Sequence, residues 1–294
     1  MNTRIVYAIL GSTSDTETFR KAANTQKPED LRIKVYYASV DNTPAKVSCV
    51  MEEICRQEGS PKAIMAGAGL ANGLATAANN LKGLHDLVVA LPFSDSVSRG
   101  LSSFLSTTEK PSKNPLPTVG PDEVAAAINI ADKYVIGGQN GVIKLLHDSP
   151  SYRVDQKDMD QVADRMHKMR ISYKQVPSEG IQPDDIVVSI FRDYDLADEE
   201  IGRHPTIGMV DKILNKGKGI QICVREKEAM EKWKEYLMLC SASRSSTCFV
   251  GIGKYDNAIM AACLLARQHE QYSKLIMEKN KHASDVANAR SFIL

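Results

Sequence analysis

The chain has 294 residues, 43% hydrophobic and 25% charged, and its 37 basic side chains nearly cancel 36 acidic ones, for a formal charge of +1. That balance excludes a dedicated nucleic-acid or membrane-surface binder, which needs a basic excess, and no apolar run reaches the roughly 18 residues of a membrane span. The length suggests two domains or one large one, and Met1-Asn2-Thr3-Arg4 leads directly into an apolar run without a signal-peptide pattern, so a cytoplasmic protein is expected.

In chain order, the apolar run from Ile5 to Leu10 reads as a buried strand and is followed at once by Gly11-Ser12-Thr13-Ser14-Asp15. A helix is predicted over 14–23, with Ser14 as its cap and Glu17 closing a capping box. The first turn of such a helix has free N–H groups and a partial positive charge, which favour a phosphate. Ser12 and Ser14 add hydroxyl donors, and Asp15 can accept from a ribose hydroxyl. The same residues serve equally as an ordinary capped turn. Further strands are predicted over 33–37, 63–66, 87–91 and 116–119, with helices over 44–57, 72–81 and 122–134. The strand runs are short and almost wholly apolar, as strands covered on both faces are. Their alternation with helices predicts right-handed βαβ units and a doubly wound, Rossmann-like parallel sheet. Ligands in such sheets bind at the carboxyl ends of the strands, here the loops 11–15, 38–44, 66–74 and 92–100.

Turn-rich segments around 137–141 and 147–150 mark an expected boundary, dividing the chain into domains 1–145 and 146–294. In the second half, strands are predicted over 171–176, 186–190, 219–224 and 247–252, and helices over 155–169, 207–215, 226–240 and 257–269. This half is also α/β, more compact and poorer in Gly-Ser loops. Thr118-Val119-Gly120 before an Ala-rich helix is echoed by Phe249-Val250-Gly251 before another. The echo reads either as a degenerate duplication or as the ordinary likeness of two strand–helix units. The six cysteines form no C-x-x-C pair and the six histidines no metal spacing, so reduced core thiols and no metal are expected. The stretch Gly67-Ala68-Gly69-Leu70-Ala71-Asn72-Gly73 misses G-x-G-x-x-G by one residue and argues poorly for a dinucleotide.

Four blocks of the N-terminal half resemble, in order, the 5-aminoimidazole ribonucleotide (AIR) carboxylases and the related N5-carboxyaminoimidazole ribonucleotide mutases. Gly11-Ser12-Thr13-Ser14-Asp15 is similar to their G-S-x-S-D, and Ser39-Val40-Asp41-Asn42-Thr43-Pro44 stands where they have S-A-H-(R/K)-x-P. Ala68-Gly69-Leu70-Ala71-Asn72-Gly73-Leu74 resembles the A-G-R-S-N-(G/A)-L of the CO2-using branch, and Pro92-Phe93-Ser94-Asp95-Ser96 with Gly100 resembles P-P-S-D-S-x-x-G. The Ala-rich helix at 124–131 matches the family's closing helix, so the likeness covers about residues 4–135.

The resemblance implies a three-layer α/β/α fold with a flavodoxin-like sheet, a homo-oligomer, and no metal or other cofactor. It implies a lyase of purine biosynthesis that reversibly carboxylates C4 of an aminoimidazole ribonucleotide with carbon dioxide. Ser12, Ser14 and Asp15 would hold the ribose phosphate, and Ser39, Asn72, Ser94, Asp95 and Ser96 would line the substrate. The chain departs from the pattern where the chemistry is done. Asp41 replaces the family's proton-moving histidine, Asn42 a basic residue and Leu70 an arginine. Proton transfer at C4 needs a group that exchanges near neutral pH. Histidine does so unaided, whereas Asp41 would need burial. Arg99, and Lys46 one turn into the next helix, are candidates for the missing positive charge, and each is equally an ordinary surface cation. The alternative is a pseudoenzyme that keeps the fold and binds a phosphorylated ligand or a protein partner without turnover.

Overall fold

The computed structural model describes residues 3–59, 61–69, 72–96, 98, 100–108, 110, 114–137, 141–148, 156–177, 180–191, 219–225 and 247–287. The first half builds a parallel sheet from β1 (Arg4–Leu10), β2 (Leu31–Tyr37), β3 (Ala63–Ala68) and β4 (Leu87–Pro92), in the order β2-β1-β3-β4. Each parallel step needs a helical crossover, supplied by α1 (Thr16–Gln26), α2 (Pro44–Arg56) and α3 (Gly73–Leu81). Two further helices follow, α4 (Leu101–Thr108), which the sequence pattern did not predict, and α5 (Val124–Ile136).

Period-two alternation assigns each strand residue to a face. Val6, Ala8 and Leu10 of β1 pack with Met65, Val89 and Leu91 beneath Phe19 and Ala23 of α1 and the apolar side of α5. Tyr7 and Ile9 turn the other way and join Ile64, Ala66, Val88 and Ala90 under Val47, Val50, Met51 and Ile54 of α2 and Leu74, Ala75 and Ala78 of α3. The half is therefore the expected three-layer α/β/α sandwich. β2 lies at the open edge, and only there does the strand sequence alternate with exposed Arg32 and Lys34.

The segment 116–119 does not become a full strand. Pro115 and Pro117 lack the N–H donors that a ladder requires. Thr118 alone bridges, parallel to Ala90 and antiparallel to Phe249.

The second half builds β5 (Ile143–Asp148), β6 (Tyr173–Pro177), β7 (Ile186–Phe191), β8 (Ile220–Arg225) and β9 (Thr247–Ile252), all parallel, in the order β6-β5-β7-β8-β9. β5 stands where a turn-rich boundary was expected. Its run Ile143-Lys144-Leu145-Leu146 is short and lies between two glycine- and proline-containing clusters that mask it in the sequence. The expected division at residue 145 falls inside β5. The helices are α6 (Gln156–Lys168), α7 (Tyr255–Leu265) and an unpredicted α8 (His269–Ala287) that packs on α7. Helices expected over 207–215 and 226–240 lie outside the described residues.

The two sheets meet edge to edge. Thr118 N–H donates to the Phe249 carbonyl at 3.0 Å and Phe249 N–H donates back at 2.7 Å. Met159, Val162 and Met166 of α6 and the buried run Ala258–Ala266 continue the core that begins under α1 and α5. Cys248 and Cys263 belong to this core as free thiols, which burial pushes up to about 12, whereas Cys49 is free and exposed.

Candidate active site

The carboxyl ends of β1, β2, β3 and β4 open onto one rim, where an open pocket of about 400 Å³ is lined from four separate loops. Gly11, Ser12, Ser14 and Asp15 come from the first, Ser39, Val40, Asp41 and Asn42 from the second, Ala68 and Gly69 from the third, and Ser94 and Asp95 from the fourth. Close approach of the first and third requires glycine. Gly11 N–H donates to the Gly67 carbonyl at 2.8 Å, and a Cβ on Gly11 would lie 3.0 Å from that of Ala68.

The Gly-Ser loop is held by its own hydroxyls. Thr13–Asp15 forms a single 3₁₀ turn before α1, and Ser12, not Ser14, caps it. Ser12 Oγ accepts from Ser14 N–H at 3.2 Å and from Ser14 Oγ at 2.8 Å. The box expected between Ser14 and Glu17 does not form, because α1 starts at Thr16 and Asp15 occupies the cap position without a side-chain cap bond. Ser12 and Ser14 are both exposed toward the pocket.

Asp15 is only 8% exposed, and its Oδ2 has no hydrogen-bond partner. Burial holds its carboxyl above the usual 3.8, and the Asp122 carboxylate adds to this against opposing hydrogen bonds from the Ser12 backbone and the Ser14 hydroxyl. Asp122 is a residue the sequence did not single out. Its φ of 61° is uncommon for a non-glycine residue, and its Oδ1 accepts from Ser94 N–H at 2.9 Å.

The Asp41 loop is a locked turn. Ser39 N–H donates to Thr43 Oγ1 at 3.0 Å, Thr43 N–H donates to the Ser39 carbonyl at 2.9 Å, and Asn42 N–H donates to Ser39 Oγ at 3.3 Å. Pro44 then opens α2, where its missing N–H costs nothing. Asp41 lies at the pocket wall, exposed to solvent rather than buried.

Asn72 is in a different position. It is fully buried and does not line the pocket. Its Oδ1 accepts from Ala75 N–H at 3.1 Å as the cap of α3, and its Nδ2 donates to the carbonyls of Ala66 at 3.2 Å and Leu91 at 3.4 Å. An amide with both ends committed in this way ties β3, β4 and α3 together and is not available to a ligand. The Asp95 carboxylate, which lines the pocket, accepts from Ser98 N–H at 2.6 Å, from Gly100 N–H at 3.3 Å and from Ser98 Oγ. Ser96 is exposed in the same loop but does not line the pocket, Lys46 is exposed on α2 away from it, and Arg99 lies outside the described residues.

The lining is thus rich in hydroxyls, carries three aspartates, and includes no cation among the described residues. No group of three His, Cys, Asp or Glu side chains among the described residues is placed to hold a metal ion, and no described helix is long and apolar enough to cross a membrane.

The family model described as AIR carboxylase matches residues 5–148, the stretch that supplies all four pocket loops. The N-terminal half of this chain belongs to the AIR carboxylase family. Solved structures similar to the chain include PurE of Treponema denticola, 16% identical over 56% of this chain and 98% of that one, with a TM-score of 0.38. A PurE2 structure from the same organism is 17% identical over 57% of this chain and 98% of that one, TM-score 0.38. The transcription regulator CcpA of Lactococcus lactis is 13% identical over 92% of both chains, TM-score 0.24. No curated protein matches the chain.

Proposed function

We propose that this rim pocket binds an aminoimidazole ribonucleotide and that the protein is a diverged, cytoplasmic carboxylase/lyase of purine biosynthesis. Convergence of the four family-like loops on a single pocket carries the reading. Ser12 and Ser14, exposed beside the start of α1, supply hydroxyls and helix N–H groups for the ribose phosphate. The free Oδ2 of Asp15 accepts from a ribose hydroxyl. Ser39, Ser94 and Asp95 contact the ring or its carboxylate, and Asp41 stands at the family's histidine position. In the decarboxylating direction the C4–carboxylate bond breaks, carbon dioxide leaves, and C4 takes a proton from Asp41. In the other direction C4 attacks carbon dioxide, and Asp41 removes the C4 proton. The second half, which repeats the sheet order of the first, serves as a degenerate copy in the place of a neighbouring subunit, and further copies of the chain complete a homo-oligomer.

A second reading is favoured by two observations: Asp41 is exposed, and no described cation lines the pocket. In that reading the pocket binds the ribonucleotide, or a protein partner, without turnover. The deciding experiment mixes the full chain with carboxyaminoimidazole ribonucleotide and follows its ultraviolet absorbance. Decarboxylation that disappears in Asp41→Asn establishes the enzyme. Saturable binding without turnover, lost in the Ser12→Ala, Ser14→Ala double variant, establishes the binding protein. No binding at all overturns both.

A further inference from the structure

A second cavity, of about 180 Å³, lies away from the rim pocket, between the turn after α3 and the α8 helix. Its walls come from both halves: Asn79, Lys82 and Asn114 from the first, Tyr272, Lys279 and Asn280 from the second. Two ammonium groups line it and, among the described residues, no carboxylate does.

Among the described residues neither ammonium forms an ion pair with an acid. Lys82 Nζ donates to the Asp86 carbonyl at 2.6 Å and to Tyr272 Oη at 3.3 Å, and it lies 5.5 Å from the centre of the Tyr272 ring. Lys279 Nζ donates to Asn114 Oδ1 at 3.3 Å. The acid nearest Lys82 in sequence, Asp86, has its carboxylate bonded to the N–H groups of Lys62 at 2.8 Å and Gly83 at 3.1 Å, and Glu278, beside Lys279 in sequence, accepts from Arg165 Nη2 at 2.5 Å. The wall itself is held firmly, because Asn79 Nδ2 donates to Asn114 Oδ1 at 3.1 Å and to the Pro115 carbonyl at 3.0 Å. Asn114 N–H in turn donates to Asn257 Oδ1 at 2.8 Å.

Burying cations without a counter-ion is costly. Desolvation brings Lys82 down to about 8 against the opposing field of the Asp86 carboxylate, with the charge of Lys279 adding to the fall, and desolvation lowers Lys279 as well. A bound anion removes that cost, and ammonium donors in a partly enclosed site are suited to oxyanions. We propose that this seam cavity is a second ligand site, for an oxyanion of the phosphate class, held between Lys82 of one half and Lys279 of the other. Because the two lysines belong to different halves, occupancy ties α8 to the AIR carboxylase half.

The test uses the full chain and titrates inorganic phosphate, then ribose 5-phosphate, by calorimetry and by thermal unfolding. The titrations are run in the Ser12→Ala, Ser14→Ala background so that the rim pocket is weakened as a phosphate site. Saturable binding is expected there, together with a ligand-dependent rise in Tm. Both should fall at least tenfold in affinity in Lys279→Met, a half-exposed helix position that tolerates the change, and in Lys82→Met. Without anion, Lys82→Met is expected to melt no lower than the parent, since it removes an uncompensated charge. Tighter binding of ribose 5-phosphate assigns the site to a phosphate monoester, and tighter binding of inorganic phosphate assigns it to the free anion. The proposal is overturned if neither ligand saturates, if Lys279→Met binds as well as its parent, or if Lys82→Met melts lower in anion-free buffer, which would make Lys82 a structural tie.

Discussion

The two sheets of this molecule repeat one strand order, and the family model matches the stretch that holds the first but only one strand, β5, of the second. The first runs β2-β1-β3-β4 with Thr118 bridged outside β4; the second runs β6-β5-β7-β8-β9. In each, the fifth position is followed by a largely buried helix, α5 or α7. The hydroxyl-lined pocket stands at the rim of the first sheet, within the stretch that the family model matches, and the loops that follow β5, β7 and β8 lie outside the described residues. Strand order and covering helices are set by hydrophobic burial, which many sequences satisfy. The site depends on a few loop residues, which burial does not specify.

The comparison also exposes a difference in support. α5 has one side free of the core, with Ala125, Asn129 and Lys133 outside its buried set, whereas α7 is buried without a break from Asn257 to Leu265, with the second sheet on one side and α6 and α8 on others. A helix buried all round is enclosed by its neighbours.

The largest effect is therefore expected from Ala261→Asp in α7, an unpaired buried charge that should cost about 3–5 kcal/mol or more. Because one core runs through both halves, urea unfolding of the parent should be a single transition, and hydrogen exchange in the variant should accelerate in β1 and β3 as well as in β7. Protection of β1 left intact would break the view of one shared core.

Next in size is Asn72→Ala, which removes the α3 cap and the amide's two bonds to the buried Ala66 and Leu91 carbonyls. A loss of about 2–4 kcal/mol is expected in chemical denaturation, against under about 0.5 kcal/mol for exposed Ser12→Ala. The reverse order would return Asn72 to the pocket. Thr118→Pro deletes the donor to Phe249 and should cost about 1–3 kcal/mol. Its signature is faster exchange at Phe249, whose N–H bonds back to Thr118, with the Ser12 loop unchanged.

The smallest effect is a pH dependence. The folded state holds the Asp15 carboxyl above its ordinary 3.8, so the native protein keeps a proton that the unfolded chain releases. Its contribution is fully present below 3.8 and is lost as pH rises through the folded value. Asp15→Asn should remove that slope and leave the variant relatively more stable at neutral pH. A parent and variant that share one pH profile would place Asp15 in water.

The alternation of apolar runs and helices made the first sheet legible almost to the residue, because strands covered on both faces must be apolar throughout. The pocket loops were legible for the same reason, since a parallel sheet puts its loops at predictable ends. Pro115 and Pro117 were visible too, but only pairing partners show that the segment between them is one bridge and not a strand. β5 was hidden between turn clusters, and the amphipathic α8 makes sense only as a cover for α7. Composition could name Asn72, Asp41 and Asp15 as polar residues in loops. Only the tertiary structure decided that Asn72 faces inward to carbonyls, that Asp41 faces water, and that Asp15 is buried with an oxygen to spare, because burial and hydrogen-bond partners come from segments distant in the chain.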